Sequence, residues 1–183
     1  GRLTSELVSG LFAKRFGIAA PLTDSAIFGT PGRILAFTTD SYVIDPVFFP
    51  GGDIGKLAVC GTVNDLAVAG ATPEYISASF IIEEGLPLKD LDTIVCSMAE
   101  EAERAGVKII TGDTKVVDKG KCDKIFITTA GTGILPESKV NISTGAEVKP
   151  GDRLIINGPV GNHEIAVLGA RKSIDFKTPV VSD

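Results

Sequence analysis

The amino-acid sequence predicts an α/β fold of the α+β type, with a mixed sheet and flanking helices. Three patterns indicate this fold. Apolar residues alternate with others over residues 75–82, as in a strand with one buried face. They recur at helical spacing over residues 91–102, and residues 53–70 are apolar on nearly every side, as in a largely buried helix. Elements that each bury a face must pack together in layers.

The first half of the chain is predicted to contain a helix, two strands and a second helix. Apolar residues at helical spacing over residues 4–16, with Thr4 as a possible cap, predict the first helix. The strands, residues 25–28 and 33–39, flank a Gly-Thr-Pro-Gly turn. The buried helix, residues 53–70, follows them.

The next part of the chain alternates strands with one helix. A strand over residues 75–82 precedes the helix 91–102, which is expected to end at Gly106. A strand over residues 107–111 then runs into a Gly-Asp-Thr-Lys segment, and residues 125–134 form the last strand of this region.

Composition changes near Pro136, where the chain becomes polar and rich in turn residues. We therefore predict one domain over residues 1–137, and a linker with the start of a second α/β domain over residues 138–183. The second part is predicted to hold one strand, 153–157, and one helix from Glu164. One strand and one helix cannot close a layer by themselves, so the second domain is expected to be truncated.

Composition and charge restrict the classes of function. The 183 residues are 44% hydrophobic, and 23 acidic against 18 basic residues give a net charge of −5. Since no basic cluster could follow a phosphate backbone, no nucleic-acid partner is expected. No apolar run approaches the roughly 20 residues of a membrane-spanning helix, so we predict a soluble cytoplasmic protein with no membrane association. Cys60 and Cys96 are expected to be buried and Cys122 exposed, without a disulfide or zinc site.

Four aspartates stand at positions that suit ion binding. Asp24, Asp40 and Asp113 lie at edges of predicted strands, where side chains from distant parts of a sheet can converge. Asp65 lies beside Asn64 in the apolar helix, where a buried carboxylate without a partner would cost several kcal/mol. Such clusters suit magnesium, which carboxylates hold together with nucleotide phosphates. Alternatively, the first three are turn or loop residues and Asp65 is a satisfied core residue.

The segment Phe-Pro-Gly-Gly-Asp-Ile-Gly-Lys, residues 49–56, opens the buried helix. It could bring backbone amides and the Lys56 cation close to an anion. It is not a P-loop, because proline stands where the first glycine should be and Leu57 replaces the serine or threonine that would reach magnesium. Its glycines could instead serve close packing alone.

Five segments together resemble the HypE family of hydrogenase-maturation proteins in order and spacing. They are residues 38–43 (Thr-Thr-Asp-Ser-Tyr-Val), 48–59, 61–67 (Gly-Thr-Val-Asn-Asp-Leu-Ala), 80–87 and 111–117 (Thr-Gly-Asp-Thr-Lys-Val-Val). Thiamine-monophosphate kinase and selenophosphate synthetase are related enzymes that share the acidic positions. They lack the Phe-Phe-Pro-Gly-Gly-Asp-Ile-Gly-Lys and Gly-Asp-Thr-Lys-Val-Val sequences.

The resemblance implies a PurM-like domain, as in aminoimidazole ribonucleotide synthetase, which binds ATP with Mg2+ and forms a homodimer. In the HypE family, ATP drives dehydration of a thiocarbamate on the protein's own carboxy-terminal cysteine. The product is a thiocyanate, which supplies cyanide ligands for nickel-iron hydrogenase. HypF provides the carbamoyl group, and a HypC–HypD complex receives the cyanide.

Residue by residue, the resemblance implies a site for magnesium and the phosphates of ATP. Its metal-binding residues would be Asp24, Asp40, Asp65 and Asp113. Further nucleotide-binding residues would be Gly52, Asp53, Lys56, Asn64 and Gly112. The candidate catalytic residues are Asp65 and Lys115, and Lys115 would steer or deprotonate the carbamoyl group. Because neighbouring carboxylates oppose the lowered pKa that a lysine base needs, the electrostatic role is favoured.

Two departures from the family pattern affect these expectations. Several relatives carry an acidic pair where this chain has Thr23 and Asp24, so one metal contact is expected to be missing. The chain ends at Asp183 without a terminal cysteine, so we expect this polypeptide not to complete the reaction. Two other functions stay open, a small-molecule kinase or synthetase such as thiamine-monophosphate kinase, and a non-catalytic dimerisation module.

Overall fold

The computed structural model describes residues 6–18, 21–174, 176 and 178–182. The strands are β1 (Ala26–Thr30), β2 (Arg33–Tyr42), β3 (Phe48–Phe49), β4 (Gly52–Asp53), β5 (Thr72–Glu83), β6 (Lys108–Val117) and β7 (Ile125–Leu135). The α-helices are α1 (Lys14–Phe16), which continues a π-helical segment (Val8–Ala13), α2 (Ile54–Val68), α3 (Leu88–Ala105) and α4 (Asn162–Lys172). A 3-10 turn spans Glu137–Lys139. None of these helices is long and apolar enough to cross a membrane.

The main sheet is five-stranded and mixed, in the order β1-β2-β7-β5-β6. Strands β5 and β6 are parallel, with α3 as their connection, and the other neighbours are antiparallel. Strands β3 and β4 form a separate hairpin that leads into α2. The predicted mixed sheet with flanking helices is therefore confirmed.

The core lies between one face of this sheet and helices α2 and α3. Its largest fully buried side chains come from both helices and from β5 and β7, and include Ile54, Leu66, Ile76, Ile94, Met98, Ile125 and Ile127. Helix α3 ends where Gly106 adopts a left-handed conformation, with φ of 69°, that glycine reaches without strain. This stop is where the sequence predicts it.

The opposite face of the sheet, which we call the open face, carries apolar side chains that remain accessible. Residues paired across β1, β2, β7 and β5 share this face, and its large apolar members are Phe28, Leu35, Phe37, Ile81, Phe126 and Ile134. Phe37 is 39% exposed and Ile81 is 42% exposed. A contiguous apolar face of this kind indicates an interaction surface.

Two sequence predictions about strands are wrong. Residues 153–157 do not form a strand, since no strand in the described part of the chain lies beside them and Leu154 is fully exposed. The strand predicted to stop at residue 111 continues to Val117. After a register shift between Ile76 and Ser77, β6 remains paired with β5 as far as Glu83 and Val117. The predicted helix cap Thr4 lies outside the described residues.

The cysteine predictions are only partly correct. All three cysteines are free, as expected. Their burial differs, because Cys122 is buried, Cys96 is exposed and Cys60 is half-buried. The Cys122 thiol lies 3.8 Å from the carbonyl oxygen of Ile81, so the charged turn around it folds back onto the sheet.

Candidate functional site

The segments that carry three of the predicted aspartates meet where β2 faces α2. Asp40 lies on the α2-facing side of β2, Asp65 lies in α2, and Asp24 precedes β1. The Thr38 hydroxyl lies 3.0 Å from Oδ2 of Asp65 and 2.9 Å from the main-chain oxygen of Asp24. Its single proton is therefore shared between two acceptors, which ties the three segments together.

The electrostatics of this cluster favour a cation. Burial, and then the negative charges of Asp40 and Asp24, raise the pKa of Asp65, whereas the hydrogen bond from Thr38 opposes the rise. Within the described residues, none of the three carboxylates forms an ion pair with a basic side chain. Like charges without a basic partner destabilise one another, and a divalent cation would relieve that repulsion.

The donor set fits magnesium delivered with a nucleotide. In the described part of the chain, no three histidine, cysteine or acidic side chains converge to hold a metal ion by themselves. The carboxylate of Asp40 is nevertheless close enough to Asp65 for its negative charge to raise the pKa of Asp65. Magnesium is usually bound by one or two carboxylates together with water and substrate phosphates, so two carboxylates match its needs.

The fourth aspartate, Asp113, lies apart from the cluster formed around β2 and α2. It is in β6, separated from β2 by β7 and β5, so three strand spacings of roughly 4.8 Å place it about 14 Å from the cluster. The Lys115 ammonium lies 2.9 Å from Oδ1 and 2.8 Å from Oδ2 of Asp113. Hydrogen bonds from Lys115 and the Thr114 backbone hold the pKa of Asp113 below its usual value. A single site with all four aspartates stays a prediction.

The predicted anion-binding segment has a structural role in the fold. Asp53 is 5% exposed and caps α2, since its Oδ1 accepts hydrogen bonds from the backbone amides of Gly55 at 2.6 Å and Lys56 at 3.0 Å. Its Oδ2 accepts a hydrogen bond from the Ser97 hydroxyl. These two amides and both carboxylate oxygens are therefore already engaged within the chain.

The other predicted nucleotide-binding residues are placed differently from one another. Lys56 donates a 2.9 Å hydrogen bond from Nζ to the carbonyl oxygen of Gly51, next to Gly52 at the β3–β4 turn. Asn64 is exposed on α2 beside Asp65, whereas Gly112 lies within β6. Of these residues, Asn64 is the nearest in sequence to the carboxylate cluster, and the nucleotide-binding role of the set stays a prediction.

Sequence reasoning missed two residues of the cluster, Thr38 and Tyr42. The Tyr42 hydroxyl donates a 3.1 Å hydrogen bond to Oδ2 of Asp40. The signal was available, because strand alternation places Thr38, Asp40 and Tyr42 on one face of β2. The resemblance to the HypE family implied a role only for Asp40, which lies between them.

Comparison with known proteins identifies the family. Residues 22–135 match the family described as AIR synthase related protein, N-terminal domain. The chain belongs to this family. That AIR synthase related region contains the whole five-stranded sheet and the three clustered aspartates.

Within the AIR synthase related proteins, the chain is similar to HypE. It is 50% identical over 186 residues to carbamoyl dehydratase HypE of Rhizobium leguminosarum bv. viciae, covering 100% of this chain and 52% of that protein. A crystal structure of a HypE–HypF complex matches with a TM-score of 0.85 and 50% identity, over 97% of this chain and 57% of the other. A crystal structure of HypE in complex with ATP matches with a TM-score of 0.77 and 45% identity, over 100% of this chain and 54% of the other. The predicted resemblance is confirmed, and the chain spans about half the length of these relatives.

A solved structure of lower sequence identity has a similar fold. Thiamine monophosphate kinase from Aquifex aeolicus matches with a TM-score of 0.58 and 18% identity, over 73% of this chain and 44% of that one. At this identity the likeness shows the fold alone, and it adds little support to a kinase function.

Proposed function

We propose that this chain is the amino-terminal, nucleotide-handling part of a carbamoyl dehydratase of the HypE kind. The observation that carries the proposal is the cluster of Asp24, Asp40 and Asp65, which is acidic and without a basic ion-pair partner in the described residues. It lies in a chain 50% identical to a carbamoyl dehydratase along its whole length. The crystal structure of a HypE in complex with ATP supports ATP as the nucleotide.

In the proposed reaction, the thiocarbamate on a carboxy-terminal cysteine of the full-length protein becomes a thiocyanate, a source of cyanide for nickel-iron hydrogenase. The carbamoyl oxygen attacks the terminal phosphorus of ATP and ADP leaves. The phosphorylated oxygen then departs from the carbon as inorganic phosphate, while the nitrogen loses two protons as the carbon–nitrogen triple bond forms. Magnesium, when bound, would screen the phosphate charges during this attack. Asp40 and Asp65 would hold that ion, and Asp24 would add negative charge beside it.

The proposal gives Lys115 an electrostatic role. Its ammonium is ion-paired with Asp113, which keeps the cation oriented on β6. An oriented cation stabilises developing negative charge on a carbamoyl or phosphate oxygen without taking a proton from it. Because this pair is about 14 Å from the other aspartates in one chain, its contribution requires a further element such as a second protomer.

A homodimer formed through the open face is part of the proposal. A symmetric dimer uses the same surface on both subunits, and a face with accessible Phe37 and Ile81 is apolar enough to pair with its own copy. We further propose that residues 1–137 form the dimerising, ATP-binding domain and that residues 138–183 belong to a second domain. The family match, which ends at residue 135, supports this boundary.

Replacing Phe37 with aspartate is expected to convert the dimer to a monomer, because two charges would be buried without partners in the interface. Sedimentation velocity of the full-length protein measures the change. Val148→Asp is the matched control, because this exposed apolar residue lies outside the sheet. A dimer that survives Phe37→Asp contradicts the assigned interface.

The proposal also includes protein partners and a location. HypF would deliver the carbamoyl group. The crystal structure of a HypE–HypF complex, in which the HypE is similar to this chain, supports this partner. A HypC–HypD complex would accept the cyanide. We place the reaction in the cytoplasm, where ATP is available.

The experiment that tests the function uses the full-length protein, carbamoylated at its terminal cysteine. On addition of ATP and magnesium, mass spectrometry of the carboxy-terminal peptide is expected to show the loss of one water from the carbamoylated cysteine. The same incubation without magnesium is the control. Turnover of ATP without that mass change would instead favour a small-molecule kinase or synthetase, and binding without any turnover would favour a non-catalytic module.

A further inference from the structure

The Tyr42 hydroxyl belongs to a buried chain of hydroxyl groups that ends on Asp40. It lies 3.1 Å from Oδ2 of Asp40 and 3.2 Å from Oγ1 of Thr62. The Thr62 hydroxyl lies 2.5 Å from Oγ1 of Thr129, which lies 3.3 Å from the carbonyl oxygen of Ala58. Thr62 and Thr129 are fully buried. The three hydroxyls therefore link the sheet, helix α2 and a carboxylate of the candidate site.

The number of hydroxyl protons in this series of linked groups, together with the acceptors at its two ends, determines which groups donate. Four oxygen–oxygen contacts share only three hydroxyl protons, so one contact is without a proton at any moment. A hydrogen bond to a charged carboxylate is stronger than one to a neutral carbonyl. The Tyr42 hydroxyl therefore donates to Asp40 and the Thr129 hydroxyl donates to the carbonyl oxygen of Ala58. The remaining proton, on Thr62, serves one of the two contacts between these ends.

The local packing reserves space for the Tyr42 hydroxyl. A Cβ at Gly61 would lie 2.4 Å from that oxygen, so glycine leaves room for it at this position of α2. Burial, followed by the negative charge of Asp40, raises the pKa of Tyr42 to about 12, whereas the hydrogen bond with Thr62 opposes the rise. The Tyr42 hydroxyl is the donor in the hydrogen bond to Oδ2 of Asp40.

We propose that Tyr42 is a positioning residue that fixes the carboxylate of Asp40 for cation binding. By occupying Oδ2, it leaves Oδ1 as the oxygen available to the ion, and Thr62 and Thr129 hold the tyrosine in place. This inference rests on the proposed function, because it assigns Tyr42 a part in the same site. Tyr42 itself does not contact the ion or the nucleotide.

The test compares wild type and Tyr42→Phe in the full-length protein by isothermal titration calorimetry with a non-hydrolysable ATP analogue. The variant is expected to bind the magnesium complex about tenfold more weakly, in line with the loss of one hydrogen bond to a charged group. Binding of the analogue without magnesium is expected to be unchanged. Tyr75→Phe, which removes the hydroxyl of a tyrosine 43% exposed, is the matched control and is expected to behave like wild type.

Each other outcome has a distinct meaning. Equal affinity of Tyr42→Phe and wild type for the magnesium complex overturns the positioning role. Equal loss of affinity with and without magnesium also overturns it, because the tyrosine would then only support the fold. Thr62→Val keeps the Tyr42 ring and tests the chain separately, with an expected loss smaller than that of Tyr42→Phe. If wild type shows no magnesium-dependent binding, the proposed function itself fails.

Discussion

Replacing Asp65 with asparagine in the full-length, carbamoylated protein is expected to slow thiocyanate formation by about 100-fold or more. The change keeps the shape of the side chain and an oxygen that can accept the Thr38 hydrogen bond. It removes the negative charge that the site would use to hold magnesium against the phosphates. Loss of one such electrostatic contact in a catalytic site commonly costs 100-fold to 1,000-fold in rate.

The measurement is the rate at which the carbamoylated carboxy-terminal peptide loses a water, followed by mass at saturating ATP. Asp92→Asn is the matched control, because this exposed aspartate lies on α3, away from the cluster. Raising the magnesium concentration is expected to recover part of the lost rate, since a weakened ion site fills at higher concentration. Thiocyanate formation by Asp65→Asn at the wild-type rate would remove the cluster from the mechanism.

Replacing Gly112 with alanine is expected to destabilise the fold by about 3 kcal/mol or more, a large effect for one added methyl group. A Cβ at Gly112 would lie 2.0 Å from the carbonyl oxygen of Ala78, on the neighbouring strand. Main-chain atoms cannot move aside as a flexible side chain can. The methyl group would therefore push β6 away from β5 and break the parallel pairing that continues to Val117.

Chemical denaturation of the chain, followed by circular dichroism, measures this loss of stability. Gly29→Ala provides the control, since that glycine also lies in a strand and no heavy atom would come within 4 Å of its added Cβ. Similar unfolding midpoints for the two variants would contradict the close approach of β5 and β6. The result also matters for function, because lost ATP binding in Gly112→Ala would not by itself show that Gly112 contacts ATP.

The sequence predicted the elements well wherever one local pattern determined them. The alternation over residues 75–82 and the apolar character of residues 53–70 correspond to β5 and α2. Local patterns also singled out Asp65, because a carboxylate in an apolar helix needs a partner, and the Thr38 hydroxyl provides a hydrogen bond to it. The role of Asp65 in a site stays a prediction. These predictions succeed because each depends on which face of a single element is buried.

The predictions that depended on pairing between distant segments were less successful. Sequence spacing alone could not show that β7 and β5 separate Asp113 from Asp40. A run of apolar residues at 153–157 has strand propensity, yet a strand also needs a hydrogen-bonded neighbour. Asp53 illustrates a different limit, because an aspartate before a helix can be a ligand or a cap, and the contact with Ser97 became visible only in three dimensions.

The raised pKa of Asp65 shows that the fold itself disfavours the charged form of this carboxylate. Partial burial and the negative charges of its neighbours Asp40 and Asp24 raise this pKa, because each of them disfavours the charged carboxylate. In the proposed site, ion binding would remove that repulsion, so part of the binding free energy would come from relief of repulsion within the protein rather than from new contacts. In the proposed site, a doubly charged ion would therefore balance more of this negative charge than a singly charged one.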